Sequence, residues 1–445
     1  MTLTADARPT KRFFITNLTR DLSLEDAILD LIDNSVDSFI RTRGLDVSSA
    51  MMRNPKRKTS NDVLTSAVSL TVEEGMFRIA DKCGGIELEH AIKSVFRFGK
   101  TADSETGALG VYGIGLKRAI FKIGRQIRVE SHTLRSGFAV ELDVAKWSAD
   151  DDNWELPIAE LPAAESAEEA GTTITITDLT PEVLIRLGDG TLLRRLGDAI
   201  GLTYTLFLER FIGIRLNGKL IEQKPLPVAS SNELKPGTQR LQVNGVQAEI
   251  VAGLAERVDD AWSSDQAGWY VLCNGRVVVA ADKSELTGWG LSGPRFVSKF
   301  RGFLGVAFFF SSDPSDLPWT TTKRGLNLES PAYQAARREM SALARPVLDF
   351  LNEMYPNPEV AEPVQSRQLV EGLRRVDITT LLSREPQTFQ PVVSSQARRT
   401  VVKVQYDAKS ADLERIRKKL NKPRMSAGNI GRYTFEYFLK MELAE

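Results

Sequence analysis

The sequence has 445 residues, 58 basic and 58 acidic side chains, and two cysteines, Cys83 and Cys273. This length predicts two or three domains, the zero net charge argues against a uniformly basic nucleic-acid-binding surface, and two cysteines exclude a disulfide framework. No N-terminal stretch has the composition of a secretory signal. The longest apolar run, Phe303–Phe310, is too short to cross a bilayer. We therefore expect a cytoplasmic protein that is not associated with a membrane.

The first strongly predicted element is a helix that begins near Leu24 and carries a polar stripe. Asp30, Asn34 and Asp37 are spaced i, i+4 and i+7, so on a helix they share one face. Two carboxylates and an amide are costly to bury without partners. A hydrated magnesium ion and a polyphosphate are partners that suit this face.

A strand predicted at 76–80 leads into a short motif with an acidic residue and two glycines, Asp81-Lys-Cys-Gly-Gly85. The glycines allow a tight turn where a flat ligand can approach the backbone. Asp81 is placed to accept a hydrogen bond from an exocyclic amine. Taken alone, the motif is unspecific, because many ordinary turns have the same pattern.

A glycine loop precedes the next predicted helix, with Gly110, Gly113 and Gly115 followed by Lys117. Backbone N–H groups at a helix N-terminus bind phosphate oxygens, and Lys117 in the first turn can add positive charge. The loop is neither a Walker A motif nor a dinucleotide-binding motif, because it lacks the residues and spacings of both.

Two further segments flank this loop. The polar, glycine-bounded residues 98–107 have the composition of a mobile lid over a ligand. Gly171–Leu179 is a threonine-rich predicted strand whose opening residue, Thr172, can touch a nucleotide base. A half-exposed structural strand explains the second segment equally well when it is considered alone.

In their order and spacing, the motifs between residues 20 and 180 resemble those of the GHKL ATPase superfamily, named for gyrase, the large heat-shock chaperone, histidine kinases and MutL. The glycine loop is most similar to that of MORC-type ATPases, and the threonine-rich strand is similar to that of MutL. The resemblance implies an α+β fold, in which a Bergerat ATP-binding sandwich is followed by a ribosomal S5-like transducer domain.

The resemblance also implies ligands and residue roles. ATP and Mg²⁺ are the implied ligands, with Asn34 binding the metal and Asp81 binding the adenine amine. The other positions expected to contact the base, the phosphates or the lid are Gly85, Lys100, Thr101, Gly110, Gly113, Gly115, Lys117 and Thr172.

Two positions depart from the family pattern. Asp30 occupies the place of the glutamate that activates the attacking water in hydrolysing members. Because aspartate is one methylene shorter, we expect slow hydrolysis, with Asp30 as the catalytic residue. Cys83 occupies the place of a glycine, and the neighbouring Gly84 can supply the backbone freedom that this glycine provides.

The sequence predicts an ATP-binding domain over residues 1–190 and a transducer domain over residues 191–355. The second domain is predicted to contain two Asn-Gly hairpins, a buried strand and a long helix, at 212–221, 269–279, 303–310 and 331–354. In related transducer domains a lysine reaches the γ-phosphate. Lys323 follows the buried strand and is the corresponding catalytic residue that the resemblance implies.

The remaining sequence is predicted to be a linker over 356–398 and a small C-terminal segment over 399–445, with a strand at 401–406 and two helices. From Arg398 onward there are twelve basic and six acidic side chains. This charge suits DNA binding, but a solvated helix face explains it at least as well.

The leading functional hypothesis is a conformational switch that binds ATP, hydrolyses it slowly, forms a homodimer when ATP is bound, and acts on a partner protein or DNA. A nucleotide sensor or scaffold that does not hydrolyse ATP is the main alternative. A chaperone is less favoured, because no large client-binding segment is visible. A histidine kinase is also less favoured, because both histidines, His90 and His132, lie within the motif segment.

Overall fold

The computed structural model describes residues 9–52, 67–73, 75–99, 109–110, 113–291, 293–354, 369–382, 384–391, 407–423 and 425–442. Its helices are α1 Lys11–Thr19, α2 Leu24–Thr42, α3 Val47–Met52, α4 Leu88–His90, α5 Gly115–Ile123, α6 Val144–Ser148, α7 Pro181–Gly188, α8 Leu192–Thr203, α9 Thr205–Arg210, α10 Pro331–Met354, α11 Ser410–Leu420 and α12 Ala427–Glu442. A single π-helical turn, Ala91–Val95, continues α4.

The first domain is built on an eight-stranded sheet whose strand order is β5-β4-β3-β6-β2-β1-β7-β8. Its strands are β1 Ala67–Glu73, β2 Met76–Asp81, β3 Gly124–His132, β4 Gly137–Asp143, β5 Ile158–Leu161, β6 Gly171–Leu179, β7 Gly213–Leu216 and β8 Lys219–Leu220. Neighbouring strands are antiparallel except for β1 and β7, which are parallel.

Helix α2 confirms the helix that the sequence predicts from Leu24. Its N-cap residue, Ser23, has an extended backbone, and its side chain accepts a hydrogen bond from the N–H of Asp26. This cap stabilises the first turn of the helix. The helix packs against α5, and its apolar side chains join those of the sheet in one hydrophobic core. This packing brings the polar stripe of α2 next to the N-terminus of α5.

The second domain contains a sheet with the strand order β14-β13-β15-β12-β9-β16, to which β11 is added by pairing with β12. The strands are β9 Val228–Ser230, β10 Leu234–Lys235, β11 Gly237–Val243, β12 Val246–Ala255, β13 Gly268–Cys273, β14 Arg276–Asp282, β15 Phe303–Phe310, β16 Arg374–Arg375 and β17 Gln390–Pro391. Helix α10 packs on β11, β12 and β15. The mixed helix and sheet content confirms the predicted α+β class.

Both predicted hairpins are present, and each turns at an Asn-Gly pair in the left-handed region. Asn217 and Gly218 have φ values of +47° and +79°, and Asn274 and Gly275 have +45° and +82°, as a type I′ turn requires. The first hairpin, however, forms β7 and β8 of the first sheet. The sheet of the predicted ATP-binding domain therefore extends beyond the predicted boundary at residue 190, because β7 pairs with β1.

The predicted linker over 356–398 is wrong for its described part. Residues 369–382 and 384–391 pack into the second domain, where β16 pairs with β9 and β17 pairs with β10. Their apolar side chains are buried, including those of Val370, Leu373, Ile378, Leu381 and Phe389. These widely spaced residues lack helical or strand periodicity, so the sequence pattern does not reveal their burial.

Helices α11 and α12 confirm the two helices predicted near the C-terminus. The strand predicted at 401–406 lies outside the described residues. Within the part of the chain that the structure describes, no helix has the length and apolar character needed to cross a membrane.

Candidate functional site

A cleft opens between the polar face of α2, the loop after β2, the N-terminus of α5 and a loop of the second domain. The predicted site residues that line it are Asp30, Asn34, Asp81, Gly110, Gly113, Gly115, Lys117, Thr172 and Lys323. Lys100 and Thr101 lie outside the described residues. Five separated segments of the chain thus converge on one concave surface, as expected of a ligand site.

Asn34 is the exposed member of an otherwise buried stretch of α2. Its side chain lines the cleft and makes no hydrogen bond within the described residues. Asp37, one turn later, accepts hydrogen bonds from the backbone N–H groups of Leu109 and Gly110, at 2.7 and 2.6 Å. Burial raises the pKa of Asp37 to about 6. Asn34 is therefore available to a ligand, whereas Asp37 anchors the start of the glycine loop.

Asp81 also lines the cleft, and its hydrogen-bond donors are neutral groups. It accepts hydrogen bonds from the Ser35 hydroxyl at 2.8 Å and from the N–H groups of Cys83 and Thr172 at 3.0 and 3.3 Å. The Thr172 hydroxyl pairs with that of Ser131 at 2.8 Å. Burial raises the pKa of Asp81 above its ordinary value. These contacts hold the Asp81 carboxyl in one orientation.

Gly85 supports the turn rather than lining the cleft. It has a φ of +73°, and a Cβ at this position would lie 2.2 Å from the carbonyl oxygen of His132. Gly84 also has a positive φ, +99°, so it supplies the backbone freedom expected of it beside Cys83. The Cys83 side chain is buried, and burial raises the pKa of its thiol, which leaves it unreactive.

The glycine loop and the start of α5 form the wall beside Asp30. Gly113 has a φ of +62°, and α5 begins at Gly115. Lys117 donates hydrogen bonds to the carbonyl oxygen of Val95 at 2.7 Å and to that of Gly113. Burial lowers the pKa of Lys117 to about 8. In this structure Lys117 thus tethers the loop, and its contact with phosphate stays a prediction.

Asp30 forms a buried ion pair that the sequence analysis missed. The Arg118 Nε atom lies 2.5 Å from the Asp30 Oδ2 atom, and the two side chains are 8% and 3% exposed. Burial raises the pKa of Asp30, and the Arg118 hydrogen bond offsets this only in part. The available signal was the position of Arg118 one turn into α5, on a helix already expected to face the cleft.

Asp33 is the centre of a second cluster, and its partners come from other parts of the fold. It accepts hydrogen bonds from the Tyr204 hydroxyl at 2.6 Å, from Arg276 Nε at 2.9 Å and from Lys323 Nζ at 2.6 Å. Burial opposes ionisation of Asp33, but the two cations outweigh it and hold its pKa below the ordinary value. Of these partners, only Lys323 was singled out from the sequence.

Lys323 joins this cluster through its backbone as well. Its carbonyl oxygen accepts a hydrogen bond from Arg276 Nη1 at 2.9 Å, and its φ is +55°. A left-handed conformation is strained for a non-glycine residue and persists only where the surroundings impose it. The second domain therefore presents Lys323 to the cleft in a defined, strained position.

A comparison with protein families finds a match that includes these motifs. The model of the family described as "Histidine kinase-, DNA gyrase B-, and HSP90-like ATPase" matches residues 22–173. The match begins just before α2 and ends within β6, so it includes Asp30, Asn34, Asp81, the glycine loop and Thr172. A search of curated proteins found no match. Residues 22–173 are therefore similar in sequence to a GHKL-type ATPase domain, in the motif order that the sequence predicts.

Proposed function

We propose that this protein is an ATP-driven conformational switch that binds Mg²⁺-ATP in the cleft, hydrolyses it slowly, and closes as a homodimer to act on a partner protein or DNA. The observation that carries the proposal is the convergence on one cleft of Asn34, a fixed Asp81, the start of α5 and Lys323 from the second domain. A pocket lacking the second-domain residue would support nucleotide binding alone.

The residues present fit a magnesium nucleotide. The amide oxygen of Asn34, which makes no hydrogen bond within the described residues, can bind a metal, and Asp81 with Thr172 offers polar groups that suit an adenine amine. No group of three or more His, Cys, Asp or Glu side chains suited to a metal occurs among the described residues. Magnesium does not need such a group, because it commonly keeps several waters and shares the substrate's phosphates. When bound, the metal neutralises phosphate charge.

Different residues of the chain have different roles in the proposed hydrolysis. Asp30 orients the attacking water, while the N-terminus of α5 and Lys117 stabilise the phosphates. Lys323 supplies a positive charge from the second domain to the terminal phosphate. Since phosphoryl transfer depends mainly on positioning and charge stabilisation, these groups suffice for slow hydrolysis.

The switch follows from the position of Lys323. In this structure Lys323 is bound to Asp33, and moving it to a phosphate leaves Asp33 paired with Arg276. Nucleotide binding therefore alters contacts between the two domains without leaving a buried carboxylate alone. We assign the second domain the role of an S5-like transducer, and the glycine loop supports a MORC-like, DNA-associated or defence-related role.

Size-exclusion chromatography with light scattering tests this proposal, in the presence of magnesium, with and without a non-hydrolysable ATP analogue. We expect a doubling of mass that requires the analogue. Calorimetry on the same samples reports binding separately. Absence of ATP binding would refute the proposal, while binding without dimerisation would refute its closure step.

The second candidate is a nucleotide sensor that does not hydrolyse ATP. It is favoured by the short side chain of Asp30 and by its ion pair with Arg118. Single-turnover measurement of ADP formation separates the two candidates. ADP formation that disappears in Asp30→Ala supports the switch, and binding with no ADP formation supports the sensor.

A further inference from the structure

We propose that Arg118 is a positioning residue for Asp30, which holds one carboxylate oxygen so that the other faces the cleft. The inference rests on the proposed function, in which Asp30 orients the attacking water. It assigns a task to a buried cation that is not among the residues expected to bind nucleotide.

The guanidinium of Arg118 is held at both ends. Its Nε atom lies 2.5 Å from Asp30 Oδ2, and its Nη2 atom lies 3.4 Å from the carbonyl oxygen of Thr321. Arg118 is only 7% exposed, so solvent does not screen the pair as it does a surface ion pair. A planar guanidinium with two fixed contacts also fixes the direction from which it meets the carboxylate.

Aspartate at this position needs such a partner. The terminal torsion of an aspartate side chain is broad, so its rotamer alone does not orient the carboxylate plane. Asp30 is also one methylene shorter than the glutamate typical of hydrolysing relatives. A small error in the position of a catalytic group slows a reaction strongly, so the orientation of the shorter side chain must come from its surroundings.

Asp30 lines the cleft, and its two carboxylate oxygens differ in their contacts. Within the described residues, Asp30 Oδ1 accepts no hydrogen bond. Gly115 approaches the same carboxylate, since a Cβ there would lie 3.8 Å from Oδ2. Arg118 thus occupies Oδ2, and among the described residues Oδ1 is the oxygen left to accept a hydrogen bond from water.

The contact with Thr321 connects this orientation to the second domain. Thr321 lines the cleft two residues before Lys323. A shift of this loop changes what holds the far end of the guanidinium, and through it the Asp30 carboxylate. The geometry therefore links docking of the second domain to the readiness of the catalytic carboxylate.

Single-turnover hydrolysis of Mg²⁺-ATP and calorimetry with a non-hydrolysable analogue test the inference on the full chain. We expect Arg118→Met to slow hydrolysis about 10- to 100-fold while the nucleotide Kd changes by less than about twofold. Arg118→Lys should recover part of the rate, because an ammonium group can still donate to Oδ2. In an Asp30→Asn background, either Arg118 substitution should have no further effect on the rate.

Two results would overturn the inference. An unchanged rate in Arg118→Met would exclude positioning. A nucleotide Kd weakened about tenfold at an unchanged rate would make Arg118 a phosphate ligand instead. If Arg118→Met does not fold, Arg118→Lys decides: a rate loss seen only when Asp30 is intact supports positioning, and an equal loss in the Asp30→Asn background contradicts it.

The matched control is Arg210→Met, which removes a buried arginine paired with Asp377 at 2.7 Å but not lining the cleft. Its rate per folded molecule should equal that of the wild type. Wild-type protein that binds ATP without forming ADP would refute hydrolysis itself, and the inference with it. If the wild type hydrolyses ATP and Arg118→Met hydrolyses it at the same rate, only the inference about Arg118 is refuted.

Discussion

Two acidic residues, Asp81 in the cleft and Asp33 on α2 behind it, are held in different ways. The partners of Asp81 are Ser35, Cys83 and Thr172, which all belong to the first domain and donate from hydroxyl or backbone N–H groups. Asp33, which lies on α2 but does not line the cleft, is held by charged groups that include Lys323, 290 positions away in the sequence. The first domain alone therefore holds Asp81, whereas the partners of Asp33 are incomplete without the second domain.

The largest expected effect comes from breaking the link between domains with Arg276→Met. This change leaves the Asp33 carboxylate buried with one of its two cations, and removing a partner from a buried ion pair costs about 3–5 kcal/mol. We expect a loss of this size in the free energy of unfolding, measured by urea denaturation. Lys224→Met is the control, because its pair with Asp198 is exposed and is worth only about 0–1 kcal/mol.

The pH dependence of stability tests the raised pKa of Asp37, which differs from the lowered pKa of Asp33. The pKa of Asp37 is about 6 in the folded protein, against an ordinary value of 3.8, so between these values the native state holds more protons than the unfolded state. The contribution of Asp37 to the free energy of unfolding is thus fully present below pH 4 and is lost as the pH rises through 6. The loss amounts to at most about 3 kcal/mol. The pKa of Asp33 is shifted down, so its contribution has the opposite sign.

Urea denaturation from pH 4 to pH 7 checks this prediction. The side chain in Asp37→Asn cannot titrate. The free energy of unfolding of the variant, relative to that of the wild type, should therefore increase as the pH rises. Parallel stability curves for the two proteins would contradict the raised pKa.

Asp81→Asn should weaken ATP binding without disturbing the contact between the two domains. A hydrogen bond to a charged group contributes about 1.5–3 kcal/mol, so we expect ATP to bind about 10- to 100-fold more weakly in calorimetry. Glu141→Gln, on the exposed side of β4, is the control. An unchanged ATP affinity in Asp81→Asn would remove Asp81 from the nucleotide site.

The smallest effect on activity is expected for Lys323→Met, with rates compared per folded molecule because this change also leaves Asp33 with one of its two cations. In the proposed function Lys323 exchanges Asp33 for phosphate rather than gaining a partner, so we expect hydrolysis about tenfold slower, equivalent to about 1.4 kcal/mol, with ATP affinity nearly unchanged. The neighbouring Arg324 is half-exposed and pairs with Asp26, so Arg324→Met is the matched control. Equal rates for the two variants would place Lys323 outside the reaction.

Residues close in sequence were predictable because local spacing fixes their geometry. The i, i+4 relation placed Asp30 and Asn34 on one face of α2, and the glycines before α5 predicted a loop at a helix N-terminus. The predicted linker failed at Val370 and Phe389 because burial there depends on contacts with distant strands. The same reason hides Arg276 and Tyr204, which carry no local signal as partners of Asp33.

Short-range spacing and chain order were enough to predict the GHKL resemblance of residues 22–173, the polar face of α2 and the elements that carry the cleft. The partner of each buried carboxylate of α2, by contrast, depends on contacts made in the folded protein. Asp30 meets Arg118, Asp33 meets Arg276 and Lys323, and Asp37 meets the loop backbone. A charge buried in the fold is defined by the partner that compensates it, and folding brings those partners from distant parts of the chain.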